Sequence, residues 1–88
     1  MVTPESIRLN IAQGMRTEHL SVAGDDGTHF EAVIVSEAFA GKNRVQRHQM
    51  VYQTLGDRMR AEIHALSMKT YTLQEWREHK QLSQSATD

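Results

Sequence analysis

His19-Leu20-Ser21-Val22-Ala23, Gly24-Asp25-Asp26-Gly27-Thr28 and Phe30-Glu31-Ala32-Val33-Ile34-Val35 follow one another as a weakly alternating run, a cluster of turn residues and a β-branched run. Alternation places one face of each run toward a core, and the intervening residues supply turn chemistry, so this stretch predicts a β-hairpin. Gly24 and Gly27 permit positive φ, and the aspartates can accept bonds from nearby amides. Turn formation is therefore the plain reading of Asp25 and Asp26.

Toward the C-terminus, Ser36-Glu37-Ala38-Phe39-Ala40-Gly41 breaks the strand. Val45, His48, Tyr52, Leu55 and Met59 then recur at steps of three and four, the spacing of one helix face, and this stripe is read as core. Gly56-Asp57 falls inside the stripe and predicts two helices rather than one. Residues 63–71 alternate as a strand, with Ile63, Ala65, Ser67, Lys69 and Tyr71 on one face and His64, Leu66 and Met68 on the other. Thr72 and Glu75 have the spacing of a capping box and start a last helix that carries Trp76.

Toward the N-terminus, Thr3 before Pro4 and Glu5 reads as a helix start, with Ile7, Ile11 and Met15 as its apolar stripe and Gly14 near its end. The expected order is α-β-β-α-α-β-α, an α+β domain over residues 1–80 with one three-stranded sheet and helices on one face. The polar tail, residues 81–88, is expected to fray.

Composition excludes several classes of function. A chain of 88 residues holds one domain. With 39% hydrophobic and 24% charged residues it lies in the range of chains that fold. Cysteine is absent, so the chain alone builds no disulfide, thiolate metal site or cysteine nucleophile. No apolar run approaches the roughly 18 residues of a membrane span, and MVTPESIRLN has neither a basic nor an apolar leader region, so a cytoplasmic protein is expected. No serine nucleophile motif or phosphate loop is present, which points away from an enzyme and from a small-molecule substrate. The net charge is −1, but its distribution is uneven. Every formal charge from Glu18 to Ala40 is negative, whereas Lys42, Arg44, Arg47, Arg58 and Arg60 face only Asp57 between Gly41 and Arg60.

The run Phe39-Ala40-Gly41-Lys42, then Arg47-His48 and Val51-Tyr52, then Ile63-His64-Ala65-Leu66, then Tyr71-Thr72 and Glu75-Trp76 resembles the signature of the BolA family in its usual order. The short loop Gly24 to Thr28 is more like the IbaG branch of that family, and Leu73 stands where the family usually has proline. The resemblance implies a class II KH-like fold with the element order already read. It implies a monothiol glutaredoxin of the CGFS type as partner, with a [2Fe–2S] cluster held between the two proteins and none in the isolated chain. It also implies a second role, as a nucleic-acid-binding transcriptional regulator in stress response or morphology control.

Carried over residue by residue, His64 in its His-Ala-Leu context is the expected cluster ligand. Read from the residues alone, it is a histidine packed beside Leu66 and Met68 and bonded to a neighbouring carbonyl. The family's second ligand lies in the loop between the first two strands, where this chain offers His29, with Asp26 as the alternative. Imidazole suits a borderline-soft iron better than a carboxylate does, which favours His29. Lys42, Arg44, Arg47, Arg58 and Arg60 are the candidate phosphate contacts, or else the solvated face of a helical hairpin. Gly41-Lys42-Asn43-Arg44 lacks the second glycine of a KH backbone clamp, which counts against sequence-specific binding of that kind. His48 reads as a helix-packing residue, and His19 and His79 as surface residues.

Overall fold

The structure, a computed structural model, describes residues 2–24, 26–63 and 65–87, excepting the side chains of Arg58 and of residues 83–87. Asp25 and His64 thus lie outside the described residues.

Helix α1 spans Pro4–Gly14. Its start is the expected one: Thr3 Oγ1 accepts from the Ser6 amide (3.0 Å), and Ser6 Oγ accepts from the Thr3 amide (2.9 Å), so two otherwise unpaired donors are satisfied. Ile7 and Ile11 are fully buried. Gly14 does more than end the helix, because a Cβ there would come within 2.7 Å of Thr54 Cβ. The missing side chain lets α1 approach the helix α2, which spans Arg44–Glu62.

Strands β1 (His19–Ala23) and β2 (His29–Val35) form the antiparallel hairpin. Strand β3 (Ala65–Tyr71) pairs with β2 in parallel, so β2 is the centre of the order β1-β2-β3. A parallel pair needs a long crossover, and α2 supplies it. Phe30, Ala32 and Ile34 of β2 and Met68 of β3 are buried against Ile7, Ile11, Val51, Leu55 and Phe39.

Gly56 interrupts α2 at φ 75°, ψ 162°, a conformation essentially reserved for glycine, so the expected division at Gly56-Asp57 is present. The expected stripe is only partly right. Leu55 is buried, and His48, Tyr52 and Met59 are half-buried, but Val45 is 65% exposed, and Val51, which the stripe omits, is fully buried. Val45 sits in the first turn, and the side chain that folds inward from that turn is Arg47, whose side chain is only 13% exposed.

The expectation of helices on one face needs a second correction. Helices α1 and α2 cover the face of Phe30, Ile34 and Met68, but α3 (Leu73–Thr87) crosses to the other. The register puts His19, Val35 and Tyr71 on that opposite face, and Trp76 stacks on His19 (4.9 Å between ring centroids) and leans on Tyr71 (5.3 Å). Val35 is fully buried as a result, so apolar groups on both faces at this end of the sheet require cover from both sides. Helix α3 starts with the expected box: Glu75 Oε1 accepts from the Thr72 amide (2.8 Å), and Thr72 Oγ1 accepts from the Glu75 amide (3.2 Å). It runs on as helix past Lys80, into the stretch read as a frayed tail. That stretch has neither glycine nor proline to stop it. No helix among the described residues is long and apolar enough to cross a membrane.

Candidate functional site

Because β2 and β3 run parallel, their N-terminal ends lie side by side. His29, the first residue of β2, is in register with Ala65, the first residue of β3, and the Ala65 amide donates to the Thr28 carbonyl (3.1 Å). Of the expected ligands, His29 is therefore placed beside the residue that follows His64 in the chain, while His64 itself lies outside the described residues.

The loop before β2 is organised by Asp26. Its Oδ1 accepts from the amides of Thr28 (2.9 Å) and His29 (2.8 Å), and its Oδ2 lies 2.8 Å from His29 Nδ1. These bonds, the His29 amide first, hold the Asp26 carboxyl well below the usual carboxylate range. Three of the roughly four lone-pair directions of a carboxylate are thus taken within the loop. His29 is exposed, and its Nδ1 is also 3.0 Å from Thr28 Oγ1. An imidazole oriented through one nitrogen by a carboxylate is the usual arrangement of a metal-ligating histidine. The donor set here fits ligation by His29 better than by Asp26. Shallow depressions flank the start of β3 on both faces, one lined by Gly24, His29, Glu31 and Ala65, the other by Tyr52, Arg60, Ile63 and Leu66.

Of the five basic residues, the four whose side chains are described do not make one face. Lys42 and Arg44 are exposed at the start of α2, whereas Arg60 lies beyond the Gly56 break, on the order of 20 Å along the helix, over the ring of Tyr52 (5.2 Å). The side chain of Arg58 lies outside the described residues. Arg47 is turned inward. Its Nη1 and Nη2 bond the Glu75 carboxylate (2.7 and 3.3 Å), Nη1 also reaches the Thr70 carbonyl (3.3 Å), and Nε donates to the Lys42 carbonyl (2.9 Å). This side chain ties the loop before α2 to the start of α3. It is thus engaged within the fold rather than free for phosphate, a role that nothing local in the sequence distinguishes from that of Arg44.

Arg47→Met keeps the apolar stem but removes these bonds, and a loss of about 1 to 3 kcal/mol is expected near neutral pH. Glu75 is held below the usual carboxylate range, first by Arg47 and then by the Thr72 amide. A depressed folded-state value means that the contribution is complete above the unfolded value of about 4.3 and is lost as pH falls through the folded one. Denaturant titrations of both proteins across that range should show the gap narrowing in acid. A gap independent of pH contradicts the ion pair's part in it.

His48 is half-buried, and burial, then the charge of Arg44, lowers its pKa, in keeping with a packing role. His19 and His79, expected as surface residues, both stack on Trp76, at 4.9 and 5.8 Å. Only the crossing of α3 to the outer sheet face brings them together.

The family model described as BolA-like protein matches residues 2–75. The chain belongs to the BolA family. Among BolA relatives, it is 40% identical over 91 residues to Protein BOLA2 of Arabidopsis thaliana, covering 99% of this chain and 97% of the relative. It is 50% identical over 56 residues to the DNA-binding transcriptional regulator BolA of Vibrio cholerae, covering 64% of this chain and 53% of the relative. The match to the Escherichia coli protein of the same name spans 61% of that relative's length, so the chain corresponds to only part of these two proteins. The solved structure of a bolA protein homologue from Coxiella burnetii superposes with a TM-score of 0.75 at 44% identity, covering 88% of this chain and 99% of that one. The BolA relatives are named as regulators or as BolA-like proteins, and those names state no reaction.

Proposed function

We propose that this chain is a cytoplasmic BolA-family binding module, on the family's IbaG-like branch, that pairs with a CGFS-type monothiol glutaredoxin through a shared [2Fe–2S] cluster and serves iron–sulfur trafficking or regulation. The observation that carries this reading is His29: an exposed imidazole, oriented by Asp26, at the start of β2 and in register with the residue that follows His64. Lacking cysteine, the chain brings no thiolate to a cluster. Thiolates must then come from the partner. Histidine in place of cysteine on one iron raises a cluster's potential. His64 and His29 are the residues that would hold it, and the loop bonds of Asp26 argue against the carboxylate as ligand. The test is size-exclusion chromatography of the chain with a cluster-loaded CGFS glutaredoxin. Both proteins should elute together with iron; separate elution contradicts the reading.

A second reading has one observation behind it, the name DNA-binding transcriptional regulator carried by the Vibrio cholerae and Escherichia coli relatives. Lys42 and Arg44 are the exposed cations that lie together at the start of α2, whereas Arg60 is exposed beyond the Gly56 break and Arg47 is engaged by Glu75. Each phosphate neutralised contributes about 0.9 to the slope of log affinity against log salt. Replacing Lys42 and Arg44 together by alanine should therefore flatten that slope by roughly 1.8 on duplex DNA. An unchanged slope, or no binding at low salt, contradicts this reading.

A further inference from the structure

Two neighbours contact the same nitrogen of His29, and they make different demands on it. Asp26 Oδ2, 2.8 Å from Nδ1, belongs to an ionised carboxylate and can only accept, so this contact requires the proton on Nδ1. Thr28 Oγ1, 3.0 Å from the same atom, is a hydroxyl that can accept or donate, and is content with either tautomer. Of these two contacts, the one with Asp26 is the one that fixes where the proton sits on the neutral ring. A proton on Nδ1 makes Nε2 the atom with the lone pair, and a lone pair is what binds a metal.

The geometry points to Asp26 as a positioning residue: it does not ligate the cluster, but selects the tautomer and orientation in which His29 Nε2 can do so. This rests on the reading of His29 as a cluster ligand. The contact also has a backbone anchor. Because Asp26 Oδ1 is fixed by the amides of Thr28 (2.9 Å) and His29 (2.8 Å), Oδ2 is aimed at the ring by the turn itself.

That anchor makes Asp26→Asn the informative substitution. The two amides require an oxygen at the Oδ1 position, so the asparagine oxygen stays there and its NH2 group takes the place of Oδ2. The turn survives, but a donor now faces Nδ1 and forces the proton to Nε2. Asp26→Ala, in contrast, removes the turn bonds as well and would confuse loop loss with tautomer loss.

The experiment has two arms. In the first, the isolated chain labelled with 15N-histidine is studied by two-dimensional NMR well above the ordinary imidazole pKa of about 6.5, so that the rings are neutral. His29 is assigned by its absence from a His29→Gln variant. Wild type should show the proton on Nδ1, and Asp26→Asn should show it on Nε2, with the amide shifts of Thr28 and His29 little changed. The same tautomer in both proteins overturns the proposal. In the second arm, wild type, Asp26→Asn and His29→Ala are titrated into a CGFS glutaredoxin carrying its cluster. Loss of a ligand-orienting bond is expected to weaken association by about 10- to 100-fold in Asp26→Asn. If His29→Ala weakens association and Asp26→Asn does not, the positioning role is wrong and the ligand reading stands. If neither variant matters, the ligand reading itself has failed, and the positioning role falls with it.

Discussion

Phe39→Ala should cost about 3 to 5 kcal/mol, the largest single loss of stability expected in this chain. Phe39 lies at the end of the 3-10 turn Glu37–Phe39 and is fully buried, with the apolar residues of β2, α1 and α2 around it. Truncation leaves a cavity that a turn cannot close by itself, because the Phe39 amide and carbonyl are both held, by the Ser36 carbonyl (3.2 Å) and the Lys42 amide (3.0 Å). The Arg47 guanidinium, 5.8 Å from the ring centroid, loses its aromatic support as well. A domain of this size has roughly 5 to 15 kcal/mol in total, so the variant should fold marginally or not at all. Urea titration checks this; a loss below about 1 kcal/mol contradicts the placement of Phe39 in the core.

His64→Ala should remove the spectrum characteristic of a cluster-bridged complex and leave that of the glutaredoxin alone, and His29→Ala should produce a smaller version of the same loss. The ranking follows from the family resemblance, in which the histidine of the His-Ala-Leu run is the fixed ligand and the loop ligand varies. Far-UV circular dichroism of each variant separates loss of ligation from loss of fold. An unchanged spectrum in folded His64→Ala removes it from the ligand set.

What the sequence made legible was local. The hairpin, the break at Gly56 and the caps at Thr3 and Thr72 each depend on residues within a few positions of one another, where backbone geometry leaves few choices. The role of Arg47 was not legible, because Glu75 is 28 residues away and Arg47 shares its basic neighbourhood with Lys42 and Arg44. The parallel pairing of β2 with β3 was not read either, since it is set by how α2 crosses the sheet. Without that pairing, His29 and Ala65 are distant in the chain; with it, they are in register. The outer-face stack of His19, Trp76 and His79 was missed for a related reason. Its members come from β1 and α3, and only the crossing of α3 to the second face unites them. Asp26 is an intermediate case: its turn chemistry was plain from Gly24 to Thr28, but its contact with His29 depends on the conformation the turn adopts.

The shared cluster is tested most directly by adding the wild-type chain stepwise to a CGFS glutaredoxin that carries its [2Fe–2S] cluster and recording the visible absorption and circular dichroism. Exchange of thiolates for the imidazole nitrogens of His64 and His29 should change both spectra in a saturable manner that ends at equimolar protein. Spectra that stay those of the glutaredoxin alone, at concentrations where wild-type chain is folded and in excess, contradict it.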